Sequence, residues 1–302
     1  MYDLIIIGSG PAGLSAAVYG KRAGLELLVI EQSGMSGGQI LNTYEVDNYL
    51  GMPGINGFDM GMQFRAHADK LGVSFIEETV LKMESREGVH IVVTEKNRFE
   101  TKTIIIATGA SHAKLGVAGE SELSGMGVSY CATCDGAFFR DRTVAVIGGG
   151  DVAVEDAIFL ARTCKKVYLV HRRDELRAAK ILQERLKELP NVEILWNHIV
   201  TEIKGKDQVE GMVLQNTQEN TIQEKEIDGI FIAVGIRPNT IDIEGMPQMD
   251  ENGYIEAGED GRTSIDGIFA AGDVRTKRLR QIITAVADGA NAVTSVQDYI
   301  LL

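Results

Sequence analysis

The sequence predicts an α/β fold built on two dinucleotide-binding units. An apolar strand, a glycine turn and a helix-forming segment follow one another at residues 4–23, and the same succession recurs at 143–161. A length of 302 residues suits about two domains of roughly 100–200 residues each.

In the first unit, Leu4-Ile-Ile-Ile reads as a buried strand running into Gly8-Ser-Gly10-Pro11-Ala12-Gly13. Residues 14–23 have helix-forming composition, and 25–30 read as a second strand closed by Glu31. Alone, the G-x-G-x-x-G pattern is weak evidence. Between strand and helix, with an acid 18 residues past Gly13, it is specific. Its glycines let the backbone approach a pyrophosphate at the helix N-terminus. Glu31 is placed to accept hydrogen bonds from ribose hydroxyls. Composition marks the stretches around Gly38-Gln39 and Asp47-Asn48 only as loops, rich in glycine and in amide donors and acceptors. Residues 58–71 predict an amphipathic helix, and 73–75 and 89–94 predict strands. Residues 103–107 predict a buried strand ending in Ala107-Thr108-Gly109.

Cys131 and Cys134 are separated by two residues and followed by Asp135. Such a pair beside a βαβ pattern reads as a redox centre. Structural zinc needs four ligands. No second Cys-x-x-Cys exists, and the histidines are scattered at 67, 90, 112, 171 and 198, so no metal site is expected.

The second glycine turn is Gly148-Gly149-Gly150-Asp151-Val152-Ala153, with alanine as an accepted substitute in the last position. After the helix and the strand at 166–170, His171 holds the register that Glu31 holds in the first copy. It is followed by Arg172, Arg173 and Arg177. A carboxylate there selects a free ribose hydroxyl, whereas arginines and an imidazole favour a phosphate on it. The expected second cofactor is therefore NADPH and not NADH; a solvated basic patch is the alternative. Cys164 reads as a small buried hydrophobe and Trp196 as packing. Residues 227–235, ending in Gly235, mirror the strand before Gly109. Residues 267–272 form a last strand, after which Asp273 can reach a ligand hydroxyl or cap a helix. Arg280, Gln281 and an Ala-rich helix from Ile282 follow.

Composition narrows the classes further. A net charge of −13 disfavours nucleic acid. No apolar run approaches the roughly 20 residues of a membrane span. The first eight residues lack the basic flank and apolar core of a signal peptide. Three cysteines argue against a secreted disulfide framework. A cytoplasmic protein is expected.

Taken together, these residues closely resemble low-molecular-weight thioredoxin reductases along essentially the whole chain. The carrying motifs are Gly8-x-Gly10-x-x-Gly13, Cys131-Ala-Thr-Cys134-Asp135-Gly, Gly148-Gly-Gly150-Asp151, His171-Arg-Arg173 with Arg177, and Gly272-Asp273 with Arg280-Gln281. The resemblance implies two Rossmann-like domains: a discontinuous FAD domain from residues 1–112 and 242–302, and an NADPH domain with the dithiol at 113–241. It implies FAD contacts from Gly8, Gly10, Pro11, Ala12, Gly13, Glu31, Gly38, Gln39, Asn48, Ala107, Thr108, Gly109, Gly272, Asp273, Arg280, Gln281 and Ile282. NADPH contacts are implied for Gly148, Gly150, Asp151, Ala153, Glu155, His171, Arg172, Arg173, Arg177 and Gly235. Electrons are expected to pass from NADPH through FAD to the cysteine pair and on to thioredoxin. Cys131 is expected to attack the partner disulfide and Cys134 to face the flavin. Asp135 is the candidate proton donor and acceptor, with capping of the following helix as its alternative role. A homodimer is implied, with domain rotation on hinges near 112–115 and 241–244. The sequence departs from the family at Val152 and Asp156, where serine and glutamate are usual. Related flavoproteins that use ferredoxin, a peroxiredoxin-type partner or oxygen are the rival expectations. The arginine set argues against the ferredoxin and oxygen users, and Gly8 lies too near residue 1 for the extra N-terminal domain of the peroxide-reducing type.

Overall fold

A computed structural model describes the chain apart from Tyr44, Glu45, Asp47, Glu87, Ile241, Asp242 and Leu302, and apart from the side chains of Asn42, Thr133 and Cys134. The elements begin with β1 (Tyr2–Ile7), α1 (Pro11–Arg22), β2 (Leu27–Glu31), α2 (Gly57–Lys70) and β3 (Ser74–Glu77). Next come β4 (Val80–Arg86), β5 (Val89–Thr94), β6 (Arg98–Ile106), β7 (Ala110–His112), β8 (Val128–Ser129) and α3 (Ala132–Asp135). These are followed by β9 (Thr143–Ile147), α4 (Asp151–Leu160), β10 (Lys166–His171), α5 (Lys180–Lys187) and β11 (Val192–Trp196). The chain closes with β12 (His198–Gly205), β13 (Val209–Asn216), β14 (Ile222–Glu226), β15 (Gly229–Ile232), β16 (Ile236–Pro238), β17 (Ile268–Ala270) and α6 (Ile282–Leu301).

Two compact units result. Met1–Ser111 and Arg237–Leu302 form one, and His112–Ile236 the other. The chain passes into the second unit within β7 and returns within β16. The expected boundary at 241/242 lies outside the described residues.

In the first unit the sheet order is β3-β2-β1-β6-β5-β4, with β17 also on β6. β1, β2, β3 and β17 are parallel to one another and to the C-terminal half of β6. β4 and β5 extend the sheet antiparallel. Alternate residues of β1 serve opposite faces, as the two-residue period of a strand requires. Leu4 and Ile6 join Ala16, Ala17 and Val293, while Ile5 and Ile7 join Val80, Val92 and Val274. Both faces are covered, which is why the parallel strands read as continuous apolar runs.

The second unit repeats the plan, with the parallel order β11-β10-β9-β15-β8. Val144 and Val146 pack under α4 against Ala153, Ala157 and Leu160. Ala145 and Ile147 pack against Val200, Ile203, Met212 and Leu214 of the antiparallel sheet β12-β13-β14. The sequence did not announce that sheet. In β14 the exposed Ile222 is followed only by polar residues, Gln223, Glu224, Lys225 and Glu226, so neither face reads as core. In each unit the glycine turn lies at the carboxyl end of a central strand where neighbouring strands are reached in opposite directions, the usual ligand position in such sheets.

Candidate active site

The first turn is packed backbone against backbone. Gly8 has φ +102°, and a Cβ there would lie 2.4 Å from the Ala107 oxygen. A Cβ on Gly13 would lie 2.0 Å from the Gly8 oxygen, so no side chain fits. Gly10 differs, since a Cβ there would meet nothing within 4 Å and the space over it is open. α1 starts with Pro11 and has no side-chain cap among the described residues. The first helical bond shown is Leu14 N to Gly10 O. The amides of Ala12 and Gly13 are thus the orphan donors of the first turn, which suits them to an anion. Glu31 reaches this turn from β2. Its Oε2 accepts from Ser9 N at 2.8 Å and Ser9 Oγ at 2.7 Å, and its Oε1 from Ser33 N at 3.1 Å.

Other segments of the same unit converge here. Gly38 comes within 3.4 Å of the Gly10 Cα, measured from a Cβ built on it. Gln39 follows in a short 3₁₀ helix. Asn48 Nδ2 donates to Gln281 Oε1 at 2.8 Å, joining two expected ligands, and Ile282 packs on Ile40, Val46 and Met60. Thr108 and Gly109 are gripped by Asn239, which directly follows β16 and which no motif of the sequence marks. Asn239 N donates to Gly109 O at 3.0 Å, its Nδ2 to Thr108 O at 2.8 Å, and its own oxygen accepts from Thr108 Oγ1 at 2.8 Å.

Asp273 and Arg280 stand out electrostatically. Asp273 Oδ1 and Arg280 Nε are buried without a hydrogen-bond partner among the described residues. Burial pushes the Asp273 carboxyl up, with Asp288 adding to it, while Lys277 and Arg280 pull it down. The Arg280 guanidinium lies 3.9 Å from the centre of the Tyr254 ring. Behind them is a buried ion triad that sequence inspection missed. Asp288 on α6 accepts from Gly272 N at 2.9 Å, Arg275 Nε at 2.8 Å, Arg275 Nη2 at 2.6 Å and Lys277 Nζ at 2.9 Å. Burial alone would push the Asp288 carboxyl up, but these cationic donors prevail and hold it below the ordinary carboxylate range. The available signal was a single acid within the apolar helix 282–296. Its partners lie 13 and 11 residues upstream, beyond any local pattern.

In the second unit Gly148, Gly150 and Ala153 rebuild the turn. A Cβ on Gly148 would lie 2.4 Å from the Ala233 oxygen, whereas Gly150 faces open space. Asp151 Oδ1 accepts from Ala179 N at 2.7 Å, Glu155 is exposed, and Gly235 O accepts from Ala113 N at 2.9 Å. His171 is not on the surface. Its ring lies against Gly149, where a Cβ would come within 2.2 Å of it, and edge-on to Trp196 at 6.3 Å. Burial pushes its pKa down, so the imidazole is neutral near pH 7 and backs the turn as an uncharged wall. The positive charge at this edge comes instead from Arg172, Arg173 and Arg177, all exposed and without an ion pair among the described residues. Arg177 N donates to Gly149 O at 2.7 Å, which ties the arginine loop to the turn.

The dithiol segment lies in the same unit. Cys131 is disulfide-bonded, and Cys164 is a free, buried thiol. The side chain of Cys134 lies outside the described residues. Cys131 N donates to Ser129 Oγ at 3.0 Å, and Asp135 N to Cys131 O at 3.2 Å. Among the described residues Asp135 makes no side-chain cap to the following 3₁₀ helix, so its carboxylate is not committed to that structural task. Phe139 is buried edge-on to Phe231 at 5.3 Å. Phe138, which the sequence did not single out, is 77% exposed just beyond Asp135. On α4, half-buried Asp156 has no hydrogen-bond donor among the described residues. Burial, with Glu155 beside it, pushes its carboxyl up to about 7. A raised carboxyl costs stability that grows from the ordinary carboxylate pKa up to about 7 and is absent at lower pH. Asp156→Asn is therefore expected to stabilise the protein by about 2 kcal/mol at pH 8 and by nothing measurable at pH 4, as read by urea unfolding. Equal effects at both pH values would contradict the assignment.

Fold and site together define a disulphide oxidoreductase with two nucleotide sites. Residues 2–289 match the family described as pyridine nucleotide-disulphide oxidoreductase. A thioredoxin reductase of Listeria monocytogenes is 46% identical over 301 residues, spanning 99% of this chain and 94% of that one. One of Bacillus subtilis is 44% identical, spanning 99% and 95%. The crystal structure of Lactococcus lactis thioredoxin reductase in its FR conformation superposes with a TM-score of 0.86 at 43% identity, over 100% and 99% of the two chains. The chain belongs to the pyridine nucleotide-disulphide oxidoreductase family, among its bacterial-type thioredoxin reductases. Membership implies a flavin and a nicotinamide cofactor. The first unit fits a flavin nucleotide, with open space over Gly10 and the orphaned Asp273 Oδ1 and Arg280 Nε. The second fits a nicotinamide nucleotide, with open space over Gly150 and an unpaired arginine edge.

Proposed function

We propose that this enzyme transfers electrons from NADPH, through FAD and the Cys131 and Cys134 couple, to the disulfide of a thioredoxin. The observation that carries the NADPH assignment is the exposed trio Arg172, Arg173 and Arg177, whose loop is bonded to the second glycine turn. The amides of Ala12 and Gly13 would hold the FAD pyrophosphate, Glu31 a ribose, and Asp273, Arg280 and Gln281 the remaining polar groups. FAD supplies two-electron chemistry between a nicotinamide and a disulfide. Gly148, Gly150 and Ala153 would let the second pyrophosphate approach the start of α4, and the guanidinium groups of Arg172, Arg173 and Arg177 would bind the ribose phosphate. In the exchange, the Cys131 thiolate attacks one sulfur of the partner disulfide, breaking that S–S bond and expelling the other sulfur as a thiolate. Cys134 then attacks Cys131 in the mixed disulfide, closing the Cys131–Cys134 bond and releasing the partner's second thiolate. Asp135 holds and returns the proton that the thiols lose and regain. Phe138, apolar and exposed beside this segment, supplies contact area for a protein partner.

The nicotinamide turn and the dithiol belong to one unit and the flavin residues to the other, so we expect turnover to require rotation about the crossings within β7 and β16. A cytoplasmic homodimer is the assembly we expect.

Replacing Arg172 and Arg173 together by alanine tests the donor assignment. With two charge-assisted bonds to the phosphate lost, kcat/KM for NADPH is expected to fall on the order of a hundredfold. The value for NADH should change by less than about threefold, since it carries no phosphate to lose. Equal losses for both nucleotides would overturn the assignment.

A further inference from the structure

Glu120 is a carboxylate with 1% exposure, in the segment that follows the crossing into the second unit. Its Oε1 accepts from Leu115 N at 3.0 Å and from the Tyr130 hydroxyl at 2.7 Å, and its Oε2 accepts from Gly116 N at 2.6 Å. A buried charge is tolerated only when its lone pairs are filled in this way. Burial alone would push its carboxyl up, but the Tyr130 hydroxyl and the loop amides hold it below the ordinary range, so it is ionised. Burial, with Glu120, pushes the Tyr130 hydroxyl well up, so it remains the donor. The anchor is itself fixed, since Ile203 N donates to Ala118 O at 2.9 Å and a Cβ on Gly119 would lie 2.0 Å from the Ile203 oxygen. Tyr130 also stacks on His112 at 5.8 Å. Val128 and Ser129 pair with Ile230 and Phe231. The residue just before Cys131 is therefore held at its ring, its hydroxyl and its preceding backbone.

We infer that Glu120 and Tyr130 are positioning residues that hold Cys131 for closure of its disulfide and so set the dithiol–disulfide equilibrium of the couple. The inference rests on reading Cys131 and Cys134 as that couple. Closure forms one S–S bond and releases two electrons and two protons; opening takes them from an added dithiol, which is oxidised to its own disulfide. A loosened segment gains freedom in the open form that the closed ring denies it, so losing the brace favours the dithiol.

The test equilibrates the full-length, cofactor-loaded protein with mixtures of reduced and oxidised dithiothreitol. Acid quenching and alkylation under denaturing conditions follow, and mass spectrometry counts the labelled thiols. With three cysteines in the chain, the closed form labels one and the open form three. Tyr130→Phe keeps the ring and leaves Glu120 two amide donors, so it is chosen to fold; Glu120→Gln is the second variant. Both are expected to shift the midpoint five- to tenfold toward the dithiol, where tenfold corresponds to about 30 mV. The double variant should shift it no further than the larger single. Variants that melt earlier yet keep the wild-type midpoint within twofold would overturn the inference alone. A wild-type protein that never passes from one labelled thiol to three would overturn the underlying reading and the inference with it.

Discussion

Thioredoxin turnover by the Cys131→Ser variant is expected to fall by at least about a thousandfold, because a serine hydroxyl neither forms a thiolate near neutral pH nor closes a disulfide. The fold should survive. Cys131 is half-exposed at the head of α3, outside the packed cores of either unit, and its backbone is held by Ser129 and Asp135 irrespective of its side chain. Reduction of the bound flavin by NADPH should therefore continue at close to the wild-type rate, followed as loss of its visible absorbance. Cys134→Ser should show the same separation, with flavin reduction kept and disulfide turnover lost. If either variant loses flavin reduction together with thioredoxin turnover, the cysteines support the site and are not the carriers proposed here.

The second large effect lies far from the dithiol. Asp288→Ala is expected to cost about 3–5 kcal/mol, because it leaves Arg275 and Lys277 buried with their charges uncompensated. Both cations are 7% exposed at the side chain and belong to the loop that carries Asp273 and Arg280. Flavin content, read as the ratio of visible to ultraviolet absorbance, should fall along with the urea midpoint. Asp288 is held ionised below the ordinary carboxylate pKa, so its contribution is present at neutral pH and is lost as pH falls through its depressed folded pKa. The deficit of the alanine variant should accordingly shrink in acid. A variant that keeps wild-type stability and flavin content would show that the triad supports nothing.

How far the sequence carried these conclusions depended on how local each feature was. The two strand–turn–helix units were legible because parallel strands covered on both faces are continuous apolar runs, and because Gly8, Gly13 and Gly148 sit where backbone atoms leave no room for a Cβ. The same register argument placed His171 opposite Glu31 but gave no side-chain direction. Glu31 turns toward Ser9 at the turn's edge, whereas His171 turns under Gly149 and is neutral there. Asn239, Asp288 and Glu120 were illegible for one shared reason. Each binds groups that the fold brings together, and no spacing along the chain marks them. The sheet β12-β13-β14 escaped notice because β14 exposes its one apolar residue, Ile222, and is polar from Gln223 to Glu226.

Anaerobic titration of the flavin-loaded protein tests the proposed electron path most directly. NADPH, NADH or reduced ferredoxin is added stepwise, followed by oxidised thioredoxin. NADPH alone is expected to bleach the flavin at low concentration, and thioredoxin then to restore its colour, with one thioredoxin disulfide opened for each two electrons supplied. Bleaching by reduced ferredoxin but not by NADPH, or a bleached flavin that thioredoxin leaves unchanged, would contradict it.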